Sequence, residues 1–184
     1  MSEVTNDEVV AKTARWVDKV VIGLNLCPFA KAVQVKGQVR YVVSGAESTS
    51  ELLGELQREL ERLVATPAAE IDTTLLIHPR VLGDFADYND FLGEADDLVA
   101  ELELEGELQV ASFHPDYCFA GSDGGDAANY TNRSPFPMLH LLREASVSRA
   151  VEAFPEPAKI YERNIETLRA LSVAGIERLL AGDE

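Results

Sequence analysis

Three histidines and one long polar loop are the parts of this sequence best suited to chemistry. His78 and His114 each precede a proline at the end of an apolar run, and His140 follows the loop formed by residues 114–133. Imidazole titrates near neutral pH, which makes histidine the commonest general acid or base. A loop of this length inside a compact domain is uncommon and is usually functional. We therefore predict a site around this loop, with His114 and His140 as catalytic candidates.

Cys27 is the candidate nucleophile. It lies in the apolar segment LCPFA, far from the histidines in sequence. A reactive thiolate needs a base or a helix N-terminus to lower its pKa, and His114 or His140 could serve as that base. The alternative is a structural cysteine packed between Leu26 and Phe29, because free cysteines are among the most buried residues. The sequence leaves both readings open.

The end of the loop predicts a binding site for a carboxylate or phosphate. Ser134-Pro135 is typical of a helix start, and the free backbone amides of a helix start favour anions. Arg133 would add a bidentate donor, and Arg143 would share a helix face with His140. The alternative is that each arginine pairs with one of the abundant carboxylates. The predicted substrate-binding residues, all polar or cationic, are His78, Asn129, Asn132, Arg133, Ser134, Arg143 and Asn164.

Asn164 enters this set because it falls on the apolar stripe of the last predicted helix. A buried amide without hydrogen-bond partners costs roughly 1–3 kcal/mol, so Asn164 could anchor the long loop. Alternatively, it reaches solvent at the border of the stripe.

A metal site is an alternative use of the same side chains. Histidine, cysteine and aspartate are ligands of zinc and iron, but no CxxC or HxxxH spacing supports such a site here. Cys118 follows His114 by four residues, yet Pro115 disfavours a helix that would align them. We therefore assign no metal ligand, and the sequence names no cofactor.

The scaffold follows from alternating strand and helix patterns. Apolar runs predict strands at residues 39–44, 73–77 and 108–113, separated by amphipathic helices. This order predicts an α/β fold: a small, mainly parallel three-stranded sheet with flanking helices and a C-terminal helical segment. One domain would span residues 1–184, with an αβαβαβ core at 6–113, the loop at 114–133 and helices at 134–182. Ligands bind beyond the carboxyl ends of such strands, where His78 and His114 would lie.

Composition limits the classes of partner. The chain has 184 residues, of which 46% are hydrophobic and 26% charged, as in one ordinary globular domain. The net charge of -16 disfavours nucleic acid and anionic membranes, which need clustered lysine and arginine. The first ten residues lack the basic and apolar regions of a signal peptide, and two cysteines are too few for a disulfide framework. A cytoplasmic location is expected, and the oligomeric state stays open.

Four segments, LNLCPFA, SFHPDY, NYTNRSPFPMLHLLREAS and YERNI, resemble one uncharacterised, mainly bacterial family, the domain of unknown function 1415. The resemblance extends from Trp16 to about Leu171. It implies a small single-domain protein and supplies no activity, cofactor or catalytic residue. It also implies a glutamine at the position of Cys118, which leaves Cys27 as the better candidate thiol.

Together these observations predict an enzyme acting on a small polar or anionic metabolite at the carboxyl end of the sheet. The sequence has no P-loop, no GxGxxG after a strand, no GxSxG and no HExxH, which disfavours the corresponding nucleotide, dinucleotide, α/β-hydrolase and metalloprotease chemistries. A hydrolase or transferase of another kind is compatible with these absences. Two alternatives stay open: a metal-dependent enzyme with His, Cys and Asp ligands, and a non-enzymatic binding or interaction module.

Overall fold

A four-stranded sheet with helices on both faces forms the protein. The computed structural model describes residues 3–154 and 156–182. The strands are β1 (Val39–Val43), β2 (Thr73–Ile77), β3 (Leu108–Phe113) and β4 (Met138–Arg143). The helices are α1 (Asn6–Trp16), which continues as a π-helix (Val17–Ile22), α2 (Ala30–Val35), α3 (Thr49–Ala65), α4 (Phe85–Glu101), a 3-10 helix (Ala127–Thr131), α5 (Glu144–Ala153) and α6 (Pro157–Ala181). The α/β class is confirmed.

The sheet is mixed, which corrects the predicted three-stranded, mainly parallel arrangement. Its strand order is β1-β2-β4-β3, and only β1 and β2 form a parallel pair. β4 lies antiparallel between β2 and β3. The first three strands still point the same way, so their carboxyl ends share one edge of the sheet, which we call the carboxyl edge. The opposite edge is the amino edge.

The predicted helix at Ser134 is wrong, because the run from Met138 to Arg143 is the strand β4. β4 is covered on both faces, and such a strand is apolar throughout instead of alternating with polar residues. A short apolar run of this kind cannot be told from a buried helix by periodicity alone. Ser134 therefore caps no helix, and its hydroxyl donates to the carbonyl of Phe136 at 2.7 Å. The C-terminal helices begin at Glu144 instead of residue 134.

Each face of the sheet has its own apolar core. On the α3–α4 face, leucines spaced by one helical turn (Leu52, Leu56 and Leu60) pack over Leu76 and Leu139. On the α1–α6 face, the side chains from the two helices and the strands are Val9, Trp16, Leu168, Ile176, Leu75, Ile77 and Met138. None of the helices in residues 3–154 and 156–182 is long and apolar enough to cross a membrane.

Tyr88 of α4 joins the carboxyl end of β3 to the start of β4. Its buried hydroxyl donates to the carbonyl of Met138 at 2.7 Å and accepts from the amide of Phe113 at 3.0 Å. Tyr88→Phe leaves both buried backbone groups short of a partner, so we expect the free energy of unfolding to fall by about 2 kcal/mol. Urea denaturation measures this. Tyr161→Phe, at a half-exposed position, is the control, and an equal loss in both variants would contradict the assignment.

Candidate functional site

His78 and His114 lie at the carboxyl edge, but they do not face each other across neighbouring strands. The start of β4 separates β2 from β3, and the ring of Tyr88 lies between the two imidazoles. Its centroid is 5.8 Å from that of His78 and 4.9 Å from that of His114. Both histidines are fully buried, so neither presents a surface to solvent.

The ring nitrogens of His114 are both bonded to backbone groups. Nε2 lies 3.0 Å from the carbonyl of Leu82, which can only accept, so Nε2 carries the proton. Nδ1 then accepts from the amide of Asp116 at 3.0 Å. This imidazole joins the loop after β2 to the loop after β3. It has no nitrogen left for a ligand in this conformation.

His78 has one bonded nitrogen and one without a partner. Nδ1 donates to the carbonyl of Val81 at 2.9 Å, while Nε2 is buried without a hydrogen-bond partner among the described residues. Burial, and to a smaller extent the nearby His114, lowers the pKa of His78 to about 4. The ring is therefore neutral near pH 7.

Arg133 stabilises the long loop by hydrogen bonds to other residues of the same loop. Its guanidinium donates to the carbonyls of Tyr117 at 2.9 Å and Gly124 at 2.7 Å, and it stacks over the ring of Tyr130. In these contacts the planar guanidinium donates to backbone carbonyl oxygens. The predicted anion clamp is thus engaged with the protein's own chain.

The loop asparagines, Asn129 and Asn132, also hydrogen-bond backbone groups. The amide oxygen of Asn129 accepts from the amide of Phe119 at 3.0 Å, and its nitrogen donates to the carbonyl of Asp123 at 2.9 Å. Asn132 donates to the carbonyl of Ser112 on β3 at 3.0 Å. A loop held by its own side chains in this way is a compact, ordered segment. These bonds explain how so long a segment stays ordered.

An ion pair fixes the loop to α6. Arg169 lies 2.7 Å from the carboxylate of Asp126, and this contact lowers the pKa of Asp126 to about 2. Both groups lie near solvent, where the pair contributes little to stability. Its role is to set the position of the loop beside the helix.

Three of the predicted site residues lie away from this loop. Because β4 is antiparallel, Arg143 lies at the amino edge, where it donates to carbonyls at the end of α3. Asn164 of α6 donates to the carbonyl of Leu26 at 2.8 Å and so anchors the segment after the π-helix instead of the loop. Cys27, next along the chain, is exposed, and in the described part of the chain it forms no contact with a histidine.

His140 is the third predicted catalytic residue, and it lies on β4 with its side chain on the α1–α6 face. The hydroxyl of Thr73 donates to the carbonyl of Leu141 at 2.6 Å, so it must accept from Nε2 of His140 at 2.8 Å. This assigns the proton to Nε2 and leaves Nδ1 as a bare acceptor. Burial lowers the pKa of His140 to about 4. The ring is therefore neutral near pH 7, and the residue keeps some exposed surface.

A cleft of about 430 Å³ opens at the amino edge, between α2, residues 68–72 and α5. Its volume lies in the range of small-molecule sites. The hydroxyl of Ser146 donates to the carboxylate of Asp72 at 2.7 Å and accepts from Arg149 at 3.0 Å. The side chains that define its chemistry are Phe29, Val33, Lys36, Gln38, Asp72, Ser146 and Arg149.

This cleft carries more cations than carboxylates, although the chain as a whole is acidic. Within residues 3–154 and 156–182, neither Lys36 nor Arg149 forms an ion pair with a carboxylate. A second cleft of similar volume lies beside α3, and its charged lining is Glu51, Glu55 and Arg58. Its two carboxylates disfavour an anion, whereas the first cleft carries two cations and one carboxylate.

Sequence reasoning missed the cleft at the amino edge. Its charged residues come from three separate segments, which together form no sequence motif. A metal-dependent site gains no support either, because the described residues contain no group of three or more His, Cys, Asp or Glu side chains placed to hold a metal ion.

Comparisons with known proteins add one finding. A family model described as a protein of unknown function, DUF1415, matches residues 8–178. Neither the curated proteins nor the solved structures contain a match.

Proposed function

The chain belongs to the DUF1415 family of proteins of unknown function, and we propose that it is an enzyme acting on a small polar or anionic metabolite bound in the cleft between α2 and α5. The observation that carries this proposal is the cationic lining of the cleft. The protein has 32 acidic and 16 basic residues, yet on this concave surface Lys36 and Arg149 outnumber the one carboxylate, Asp72.

The lining also favours a certain kind of ligand. Arg149 keeps donors beyond its bond to Ser146, and a guanidinium fork fits a carboxylate or phosphate. Lys36 adds a mobile point charge. Phe29 and Val33 supply an apolar wall. A metabolite with an anionic end and a short apolar body would match these features.

This proposal moves the site from the carboxyl edge to the amino edge. The loop side chains that were expected to hold an anion, Asn129, Arg133 and Asn132, are bonded to backbone groups. Releasing any of them for a ligand would cost an existing hydrogen bond, about 1 kcal/mol or more. The cations of the cleft carry no such cost. A non-enzymatic binding protein would use the same cleft, and turnover of the bound compound separates the two.

The test is ligand binding by variants of the cleft. Native mass spectrometry would identify a compound that co-purifies, and calorimetry with a panel of small carboxylates and phosphates would measure affinity. We expect Lys36→Gln and Arg149→Gln each to weaken binding at least about tenfold, since a charge-assisted hydrogen bond contributes about 1.5–3 kcal/mol.

Matched controls exist for both positions. Lys31 lies on α2, the short helix that ends just before Lys36, but outside the cleft, and Arg178 lies at an exposed position of α6, so Lys31→Gln and Arg178→Gln are the controls. Both should bind like the natural sequence. Unchanged affinity in the cleft variants would refute the proposal. A loss confined to a folded Arg133→Gln variant would return the site to the long loop.

A further inference from the structure

We propose that Nδ1 of His140 is a proton-accepting position, which takes a proton or a hydrogen bond from an O–H or N–H group of a ligand. The inference goes beyond the cleft and does not depend on it. It rests on the hydrogen-bond arrangement around one imidazole and on the difference between this histidine and the other two.

The first step is orientation. A hydroxyl has one proton, and that of Thr73 is committed to the carbonyl of Leu141 at 2.6 Å. The 2.8 Å contact with His140 therefore requires a proton on Nε2. In a neutral imidazole the other nitrogen then carries the lone pair. Thr73 thus acts as a positioning residue that fixes both the tautomer and the ring plane.

The second step is access. Nδ1 has no hydrogen-bond partner among the described residues. It is not a fully buried atom, so it reaches the surface. The residues paired with His140 on the neighbouring strands are Leu75 on β2 and Ala111 on β3. β3 is an edge strand, and Ala111 is only half-buried. The opening therefore lies toward β3.

The third step is chemistry. The side chains beside the ring are Leu75, Ala111, Phe113 and Thr73, none of which is charged. A ligand X–H would transfer its proton to Nδ1, leaving X⁻ and an imidazolium whose Nε2 proton still bonds Thr73. Reverse transfer returns the proton to the product. Because no carboxylate of residues 3–154 and 156–182 forms an ion pair with this imidazole, the anion formed on the ligand would be its counter-charge.

The other two histidines cannot play this part without a conformational change. His114 has both nitrogens bonded to the backbone, and the unbonded Nε2 of His78 is fully buried. The three rings thus differ in a way that chemical modification reads directly.

The test is limited reaction of the full-length protein with diethyl pyrocarbonate, which acylates unprotonated, reachable imidazole nitrogens. Peptide mapping should find His140 modified at least about tenfold faster than His78 or His114, whose reaction requires local opening. The rate at His140 should stay level from pH 7 to pH 5, since the pKa is about 4, whereas that of N-acetylhistidine should fall. Faster reaction at either other histidine, or equal rates at all three, would overturn the proposal.

Nitrogen-15 spectroscopy of the imidazole provides an independent test. The natural sequence and Thr73→Ser should both show the proton on Nε2 of His140. Thr73→Val should lose this preference, and His140→Gln identifies the signal. A proton on Nδ1 in the natural protein would also overturn the inference. Neither measurement involves the cleft, so a negative result here leaves the anion site standing, and the reverse also holds.

Discussion

Arg143→Met should lower the free energy of unfolding by about 4 kcal/mol. The guanidinium donates to the carbonyls of Leu63 at 2.9 Å, Thr66 at 2.6 Å and Ile71 at 2.7 Å. Two of these are at the C-terminal end of α3, where a helix leaves carbonyls without intrahelical partners. Hydrogen bonds to a charged donor contribute about 1.5–3 kcal/mol each and are not additive, which gives the estimate. Denaturant unfolding measures it.

Arg149→Met is the matched control for this prediction. Among the described residues Arg149 bonds only the hydroxyl of Ser146, and its side chain is exposed, so its loss should change stability by no more than about 0.5 kcal/mol. The comparison also separates two roles of Arg143. An anion clamp held ready for a ligand would be removed with little loss of stability, and such a result would restore the role predicted from the sequence.

Acid should destabilise the protein in part through His78. The pKa of this imidazole is about 4 in the folded protein and 6.5 ordinarily, so between these values the unfolded chain binds the extra proton. The stabilisation is complete above pH 6.5 and is lost as the pH falls toward 4. The loss amounts to about 3 kcal/mol across that range.

His78→Gln removes this titration. Denaturant unfolding at a series of pH values should show the stability difference between the natural protein and the variant shrinking by about 3 kcal/mol from pH 7 to pH 4. Tyr161→Phe, which changes no group that titrates in this range, should run parallel to the natural protein. A constant difference between the natural protein and His78→Gln would mean that the imidazole has the same pKa in the folded protein as in the unfolded chain.

The family, the α/β class and most of the elements were predictable because they depend on local sequence. The Thr5–Glu8 capping box and the Ser48 cap each form between residues three apart in the sequence, so local sequence decides them. The first three strands lie within a residue of the expected bounds, since each is a short apolar run between turns. The shared edge of His78 and His114 followed from the common direction of β2 and β3.

The fourth strand was decided by tertiary structure. β4 pairs with strands that precede it in the sequence, and the helices packed over the two faces of the sheet bury Leu139 and Leu141 on one side and Met138 on the other. No local pattern distinguishes such a run from a buried helix. The error then carried over to Ser134, His140 and Arg143, because a strand alternates its side chains between faces and an antiparallel strand reverses their edge.

The sequence by itself determined which residue types were present for chemistry: three histidines, two cysteines and several cations beside a long loop. Only the tertiary structure decided what each one does. Arg133 and Arg143 have long side chains that reach backbone carbonyls well separated from them in the sequence. His114 donates from one nitrogen to the carbonyl of Leu82 and accepts with the other from the amide of Asp116. His140 alone of the three histidines keeps a reachable nitrogen within the described structure, because Thr73 on the neighbouring strand bonds the other one. Hydrogen-bond partners are set by proximity in space, and that proximity depends on strand order, which one sequence does not encode locally.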